Sequence, residues 1–178
     1  MRKIILYIAT SLDNYIARPD GSIDWLDQAT ISAQQDYGYQ KFYGSVDTTI
    51  MGANTYRQVC NFDVPFPYPD KKNIVISTQQ KHKNAHSSVE FLSTNINTYI
   101  ENLKKSPGKH IWLIGGSQIN TYLLRQKLLD ELILTRIPVY IGDGIPLFQP
   151  NNGEYNTVLN QVKDFGDNVV QLRYSLLL

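Results

Sequence analysis

The stretch His110-Ile-Trp-Leu-Ile-Gly-Gly-Ser-Gln-Ile119 changes character at a single point. A run of β-favouring residues meets a glycine pair, and helix-forming residues follow from Gln118 onward. The order predicts a strand, a tight turn and a helix. Gly115 and Gly116 remove two Cβ atoms where the free N–H groups and the positive pole of the helix emerge. Two interpretations remain open: a phosphate-binding turn, or a glycine turn that only lets the strand and the helix pack.

The rest of the chain alternates short apolar runs with helical patterns. Strands are predicted at residues 3–9, 48–52, 73–77, 89–92 and 130–137, and helices at residues 32–43, 54–59 and 96–103. Asn54 and Asn95 are the candidate N-caps of the last two helices. Two final strands, residues 157–165 and 169–177, are joined by a link so short that they must pair antiparallel. The pattern predicts one α/β domain over residues 1–178, with a mainly parallel sheet and a C-terminal antiparallel hairpin.

Composition excludes several classes of partner. The formal net charge is +1 and basic residues do not cluster beyond pairs, which argues against a nucleic-acid partner. No apolar run approaches the length that a bilayer requires, so a membrane partner is not expected. The single Cys60 can form no internal disulfide, and we expect a cytoplasmic protein.

Three predicted strand ends carry small or hydroxyl residues followed by a helix or a loop. In an open parallel sheet such ends line one edge, where ligands bind. The three turns suit two phosphates and a ribose, and they comprise Gly52-Ala-Asn-Thr55, Ser77-Thr78 and Gly115-Gly-Ser-Gln118. The alternative is that each turn is only a capped connection. The chain has neither a GxGxxG motif nor a P-loop.

Asp24 is the carboxylate that the sequence singles out, because it stands between Ile23 and Trp25. Burial beside an aromatic ring would raise its pKa and suit it to deliver a proton, whereas a surface helix cap is the alternative. The histidines show no metal-ligand spacing with Cys60 or with one another, so a zinc site is not expected. Ser117 lacks the context of a nucleophile.

Several motifs, taken in order, resemble one known family. They are Ala9-Thr-Ser-Leu-Asp-Asn-Tyr-Ile-Ala17, Asp20-Gly-Ser-Ile-Asp-Trp-Leu26, Ile50-Met-Gly-Ala-Asn-Thr-Tyr56, Ile74-Val-Ile-Ser77, Ile111-Trp-Leu-Ile-Gly-Gly116, Asp130-Glu-Leu-Ile-Leu-Thr-Arg-Ile-Pro138 and Gly142-Asp-Gly-Ile-Pro-Leu-Phe148. Together they resemble the dihydrofolate reductase superfamily, and most closely the branch that shares the reductase domain of bifunctional riboflavin-biosynthesis proteins. The resemblance implies a three-layer α/β/α fold with NADPH lying across the strand ends.

The resemblance also implies roles for individual residues. Asp24 would bind the substrate ring and promote its protonation, with Thr135 linked to it through water. Ala9 and Trp25 would shape the substrate pocket. The implied cofactor-binding residues are Ala9, Ile16, Gly52, Asn54, Thr55, Ser77, Thr78, Gly115, Gly116, Ser117, Gln118 and Ile119.

The function expected from this resemblance is hydride transfer from NADPH to a pterin or to a pyrimidine-type riboflavin precursor. Ala53 stands where the family commonly has an arginine that meets the 2′-phosphate, so NADH is also a candidate cofactor, and Arg57 or Lys81 is a candidate replacement cation. The alternatives are a nucleotide-binding protein of the same fold without turnover, and a purely structural domain. The apolar end Leu176-Leu-Leu178 suits either a homodimer interface or a core strand.

Overall fold

The computed structural model describes residues 1–28, 35–78, 86–150 and 153–177. Its strands are β1 (Ile4–Thr10), β2 (Tyr15–Ala17), β3 (Val46–Gly52), β4 (Lys72–Ile76), β5 (Val89–Leu92), β6 (His110–Gly115), β7 (Glu131–Arg136), β8 (Ile145–Pro146), β9 (Asn156–Asp164) and β10 (Val170–Leu177). Its helices are α1 (Asp24–Gln28), α2 (Tyr39–Gly44), α3 (Ala53–Cys60), α4 (Ile96–Lys105) and α5 (Ser117–Arg125).

One mixed sheet of eight strands organises the fold, in the order β5-β4-β3-β6-β1-β7-β10-β9. The strands from β5 to β7 in that order are parallel to their neighbours. β10 runs antiparallel to both β7 and β9. The predicted mainly parallel sheet with an antiparallel C-terminal hairpin is therefore confirmed. Strands β2 and β8, which the sequence pattern did not predict, pair in a second sheet of two strands.

Alternate residues of the central strands serve two cores, one on each face of the sheet. Ile4 and Leu6 pack with the residues of α4 and α5, whereas Ile5 packs with Phe42 of α2 and Tyr56 of α3. All three β1 side chains are at most 2% exposed. Because both faces are covered, these strands are continuous apolar runs rather than alternating ones.

The helix predicted over residues 32–43 is partly wrong. Residues 29–34 lie outside the described residues, and α2 begins at Tyr39. Tyr37 and Gly38 have positive φ values of 50° and 82°, which a right-handed helix does not allow. The carboxylate of Asp36 accepts hydrogen bonds from the backbone N–H groups of Gly38 and Gln40 at 2.9 and 3.0 Å. Within the described residues, this local turn takes the place of the predicted helix before Tyr39.

The three predicted turns lie at one edge of the sheet, because each follows the carboxyl end of a parallel strand. β3, β4 and β6 are neighbours in this sheet, and their carboxyl ends lie at Gly52, Ile76 and Gly115. α3 begins directly after β3, and α5 begins after a single linking glycine. Among the described helices, none is long and apolar enough to cross a membrane.

Candidate active site

A cleft of about 1370 Å³ opens at this edge of the sheet. All three turns that were predicted from the sequence line this cleft, although they are far apart along the chain. Ten of the implied cofactor-binding residues line it, namely Ile16, Gly52, Asn54, Thr55, Ser77, Thr78, Gly116, Ser117, Gln118 and Ile119. The interpretation of the turns as isolated packing connections does not account for this convergence.

The amino ends of α3 and α5 both border the cleft, and glycine precedes each helix. No side chain of the described residues caps either end. The first N–H groups of both helices are therefore free to bind an anion. The prediction that Asn54 caps α3 is wrong, because Gly52 holds the N-cap position and no loop separates the strand from the helix.

The two turns approach each other so closely that side chains at the glycines would collide with the opposite turn. A Cβ atom on Gly52 would lie 3.0 Å from Cγ1 of Ile119, and one on Gly116 would lie 3.3 Å from Oγ1 of Thr55. Gly115 has a φ of 117°, which strongly favours glycine. The peptide bond between Gly115 and Gly116 is cis. The glycines keep open a narrow gap between two helix ends, the shape and polarity that a diphosphate requires.

Contacts from a distant loop hold the α5 turn in place. The side-chain amide of Gln149 donates to Oγ of Ser117 at 3.0 Å, and its backbone N–H donates to Oγ1 of Thr121 at 2.7 Å. The buried amide of Asn120 donates to the carbonyl of Leu147 at 3.0 Å. Gln149 also lines the cleft. Gln149 was not predicted, because no local sequence pattern links it to a turn 32 residues earlier.

Arg57 is the only basic residue among the described residues that line the cleft, and Asp20 is the only acidic one. Arg57 lies on α3 one helical turn after Ala53, so both residues are on the same side of the helix. Its guanidinium donates to Oδ1 of Asn54. No carboxylate pairs with it within the described chain. Lys81, the other candidate cation, lies outside the described residues.

Ala9, Thr135 and Trp25 do not line the cleft. Ala9 packs against a small cluster of Trp25, Ile137 and Val169, in which Trp25 is 1% exposed. Thr135 is buried beside Ala9 on the neighbouring strand, and its Oγ1 accepts a hydrogen bond from the amide of Gln171 at 3.0 Å. Gly115, the last residue of β6, does not line the cleft either, although its neighbours Ile114 and Gly116 do.

The polar surroundings of this cluster were also missed. Gln171 donates to the carbonyl of Tyr37 at 3.2 Å, and the Tyr7 hydroxyl donates to the same carbonyl at 3.0 Å. Burial raises the pKa of Tyr7. The indole N–H of Trp25 and the hydroxyl of Tyr37 are buried without a hydrogen-bond partner in the described chain. Both residues belong to the cluster that contains Ala9, and the sequence pattern did not indicate these two buried donors.

Of the two alternatives for Asp24, the buried carboxylate with a raised pKa is wrong, and the structure shows the surface position at the start of α1. Its carboxylate accepts two hydrogen bonds from the Arg18 guanidinium, at 2.6 and 3.1 Å, and its side chain is 44% exposed. These bonds lower the pKa of Asp24 below its usual value and outweigh the small effect of desolvation. The neighbouring Trp25 turns into the core while Asp24 turns toward Arg18, so adjacency in sequence did not produce burial.

The family pattern described as RibD C-terminal domain matches residues 2–171 of the chain. The chain belongs to this family. It is 40% identical to the uncharacterized protein YwjB of Bacillus subtilis (strain 168), over 97% of each chain. A crystal structure from Shewanella sp. PV-4, of a protein whose name refers to riboflavin biosynthesis, is 30% identical and superposes with a TM-score of 0.88 over 99% of each chain.

A more distant structure shares the fold. The pyrimidine reductase-like protein of Corynebacterium diphtheriae has a TM-score of 0.67 at 16% identity, over 99% of this chain and 92% of that one. These comparisons confirm the resemblance to the dihydrofolate reductase superfamily and its fold. Membership of the RibD C-terminal domain family makes this an oxidoreductase-type domain of the riboflavin-pathway reductase family.

Proposed function

We propose that the protein is an NADPH-dependent reductase that transfers hydride to a pterin or to a pyrimidine-type heterocycle. The observation that carries the proposal is the convergence of two uncapped helix ends and the Ser77–Thr78 strand end on one cleft. A bound nicotinamide supplies the hydride, and the protein's own residues bind and orient the reactants.

The cofactor would lie with its diphosphate between the amino ends of α3 and α5. Backbone N–H groups at Asn54 and Thr55 face one phosphate, and those following Gly116 face the other. Ser77 and Thr78 offer hydroxyl groups to the adenosine ribose. The nicotinamide end would lie near Ile16, which also lines the cleft.

Arg57 supports a preference for NADPH over NADH. NADPH differs from NADH by one phosphate on the adenosine ribose, and Arg57 shares the cleft with the two hydroxyl residues assigned to that ribose. A guanidinium binds a phosphate by paired, charge-assisted hydrogen bonds. Its position one turn beyond Ala53 would therefore compensate for the missing family arginine.

The cofactor assignment is tested by measuring affinities calorimetrically in Arg57→Gln. The expected result is a dissociation constant for NADPH that rises about tenfold, as for loss of a charge-assisted hydrogen bond, with little change for NADH. Arg125→Gln is the matched control, since Arg125 is an exposed helix residue outside the cleft. Equal effects of Arg57→Gln on both cofactors would remove Arg57 from the 2′-phosphate site.

For the substrate end, we propose that Asp24 acts as a carboxylate that binds ring N–H groups. Its pairing with Arg18 favours the ionised form, which accepts hydrogen bonds. Ala9, Trp25 and Thr135 would complete the ring pocket once the substrate has displaced the packing of Trp25 on Ala9. The unpaired donors of Trp25 and Tyr37 are available to ring carbonyl groups.

Turnover is tested by following the loss of nicotinamide absorbance with dihydrofolate and, separately, with the ribosylaminouracil phosphate. Asp24→Asn is expected to lower kcat/KM strongly while it leaves the cofactor dissociation constant unchanged. Absence of turnover with both substrates and both cofactors would refute the named activities.

One observation favours a second candidate function, a nucleotide-binding protein without turnover. Trp25 closes over Ala9, and neither Ala9 nor Thr135 borders the cleft. Trp25→Phe, which keeps most of the buried ring volume, separates the two candidates. If the protein is a reductase, this substitution changes the rate of substrate reduction. If the protein only binds the nucleotide, the substitution leaves the cofactor affinity unchanged and no turnover is observed.

A further inference from the structure

Ser117, the first residue of α5, lines the cleft although it is almost completely buried. It is only 4% exposed. A serine hydroxyl group carries one proton that it can donate and two lone pairs that can accept. Whether Ser117 offers a ligand in the cleft a donor or an acceptor therefore depends on which of these the protein itself already uses.

Gln149 uses a lone pair of this hydroxyl group. Its side-chain amide donates a hydrogen bond to Oγ of Ser117 at 3.0 Å. The hydroxyl proton of Ser117 finds no acceptor among the described residues, since the other side-chain bond at Ser117 is the one that its carbonyl accepts from the Thr121 hydroxyl at 2.9 Å. The proton is therefore left for a ligand in the cleft, and Ser117 serves as a donor.

The backbone around Gln149 is itself fixed to the first turns of α5. The N–H group of Gln149 donates to Oγ1 of Thr121 at 2.7 Å. Two residues earlier, the carbonyl of Leu147 accepts a hydrogen bond at 3.0 Å from Asn120, which is fully buried. These bonds hold the Gln149 amide against Ser117 before any ligand binds, so the direction of the Ser117 hydroxyl is set in advance.

The direction of this hydroxyl matters because the α5 side of the cleft offers only neutral groups to an anion. Arg57, the one basic residue among the described residues that line the cleft, lies on α3. On α5, the first backbone bond inside the helix is donated by Asn120, so the earlier N–H groups have no partner in the helix. A hydroxyl proton adds one donor to these N–H groups, whereas a lone pair in its place would repel a phosphate oxygen.

We infer that Gln149 is a positioning residue for the cofactor, which holds the Ser117 hydroxyl as a hydrogen-bond donor to the diphosphate. This inference rests on the proposed function, because NADPH supplies the diphosphate. Gln149 acts through Ser117, so its contribution to affinity disappears when the Ser117 hydroxyl group is removed. The two residues are 32 positions apart in the sequence.

Calorimetric titration with NADPH of the wild type, Gln149→Met, Ser117→Ala and the double variant tests this role. Methionine keeps the approximate size of Gln149 and its backbone bond to Thr121, but its side chain cannot donate. Gln149→Met should raise the dissociation constant about fivefold, the effect of one neutral hydrogen bond. Ser117→Ala should raise it at least as much. Adding Gln149→Met to Ser117→Ala should change nothing further, because the two residues act as one unit.

A ligand without a diphosphate separates this role from a general loosening of the cleft. Adenosine 2′-phosphate should bind the wild type and Gln149→Met equally well. Gln126→Met is the matched control variant, because the Gln126 side chain, at the end of α5 and outside the cleft, accepts a hydrogen bond from Asn97 at 2.6 Å. This variant should keep the wild-type affinity for NADPH. Circular dichroism establishes that the variants fold.

Three outcomes would each overturn the inference about Gln149. They are an unchanged NADPH affinity of Gln149→Met, an equal loss of affinity for adenosine 2′-phosphate, and a full effect of Gln149→Met in the Ser117→Ala protein. If Gln149→Met does not fold, an unchanged NADPH affinity of Ser117→Ala overturns it in the same way. A wild type that does not bind NADPH would instead overturn the proposed function, on which the inference rests.

Discussion

Substitution of Gly52 by alanine tests how closely α3 and α5 approach at the cleft. The backbone of Gly52 is extended, with a φ of −82°, so alanine brings no backbone strain. Its Cβ atom, however, would lie 3.0 Å from Cγ1 of Ile119. Ordinary carbon contacts are about 3.8 Å. The Ile119 side chain, or the helix end that carries it, must therefore shift by a few tenths of an ångström.

The magnitude follows from two opposing contributions. Overpacking of this kind costs about 1–3 kcal/mol, whereas alanine in place of glycine restricts the unfolded chain and returns about 0.5 kcal/mol. We expect a net loss of about 1–2 kcal/mol of unfolding free energy. For a chain of this size, that lowers Tm by about 2–8 °C. Because the displaced Ile119 also lines the cleft, the dissociation constant for NADPH should rise about tenfold.

Thermal unfolding by circular dichroism and calorimetric titration with NADPH measure both effects. Gly44→Ala is the control, since a Cβ atom on Gly44, at the end of α2, meets nothing within 4 Å. This variant should keep the wild-type affinity and raise Tm by about 1–4 °C, because alanine at an unstrained glycine position stabilises by about 0.4–1 kcal/mol. If Gly52→Ala keeps the wild-type affinity and does not lower Tm, the described gap between the helix ends is not the cofactor site.

Three further variants test other parts of the chain. Glu131→Gln should lower the unfolding free energy by about 2 kcal/mol in urea, since Glu131 is 3% exposed and accepts bonds from Arg173 at 2.5 and 2.9 Å. Hydrogen bonds and ionic attraction outweigh burial and lower the pKa of Glu131, so this stabilisation is present above about pH 4.5 and lost in more acid solution. Asn73→Ala should cost about 3 kcal/mol, because its buried amide bonds the carbonyls of Tyr68 and Lys71. Arg18→Gln should return the NMR-measured pKa of Asp24 toward its usual value.

Each variant has an outcome that contradicts its reasoning. A Glu131→Gln protein as stable as the wild type at neutral pH would mean that the ion pair contributes nothing. Unchanged urea unfolding of Asn73→Ala would contradict the role of the buried amide. An unshifted Asp24 titration in Arg18→Gln would mean that another group holds this pKa down.

Most strands were predictable because their signal is local. The run at residues 4–9 or at residues 74–76 is apolar whatever surrounds it. Helix starts were less predictable. Asn54 looks like a cap, but a strand that ends at Gly52 leaves no loop for a cap to occupy.

The residues of the candidate site show the same difference between local and long-range signals. The residues of the turns could be identified, because the residue types at consecutive positions indicate a turn. They are Gly52, Thr55, Ser77, Thr78 and Gly116. Gln149 and the Tyr37–Gln171 contact were not identifiable, since their partners are 32 and 134 residues away.

The sequence by itself determined the alternation of strands and helices, the three turns and the C-terminal hairpin, because each depends on neighbours along the chain. Only the tertiary structure decided the state of Asp24, since the Arg18 guanidinium and the inward turn of Trp25 set its surroundings. It also decided that Leu159 and Val162 remain exposed, because their burial depends on how far the helical layer extends across the sheet.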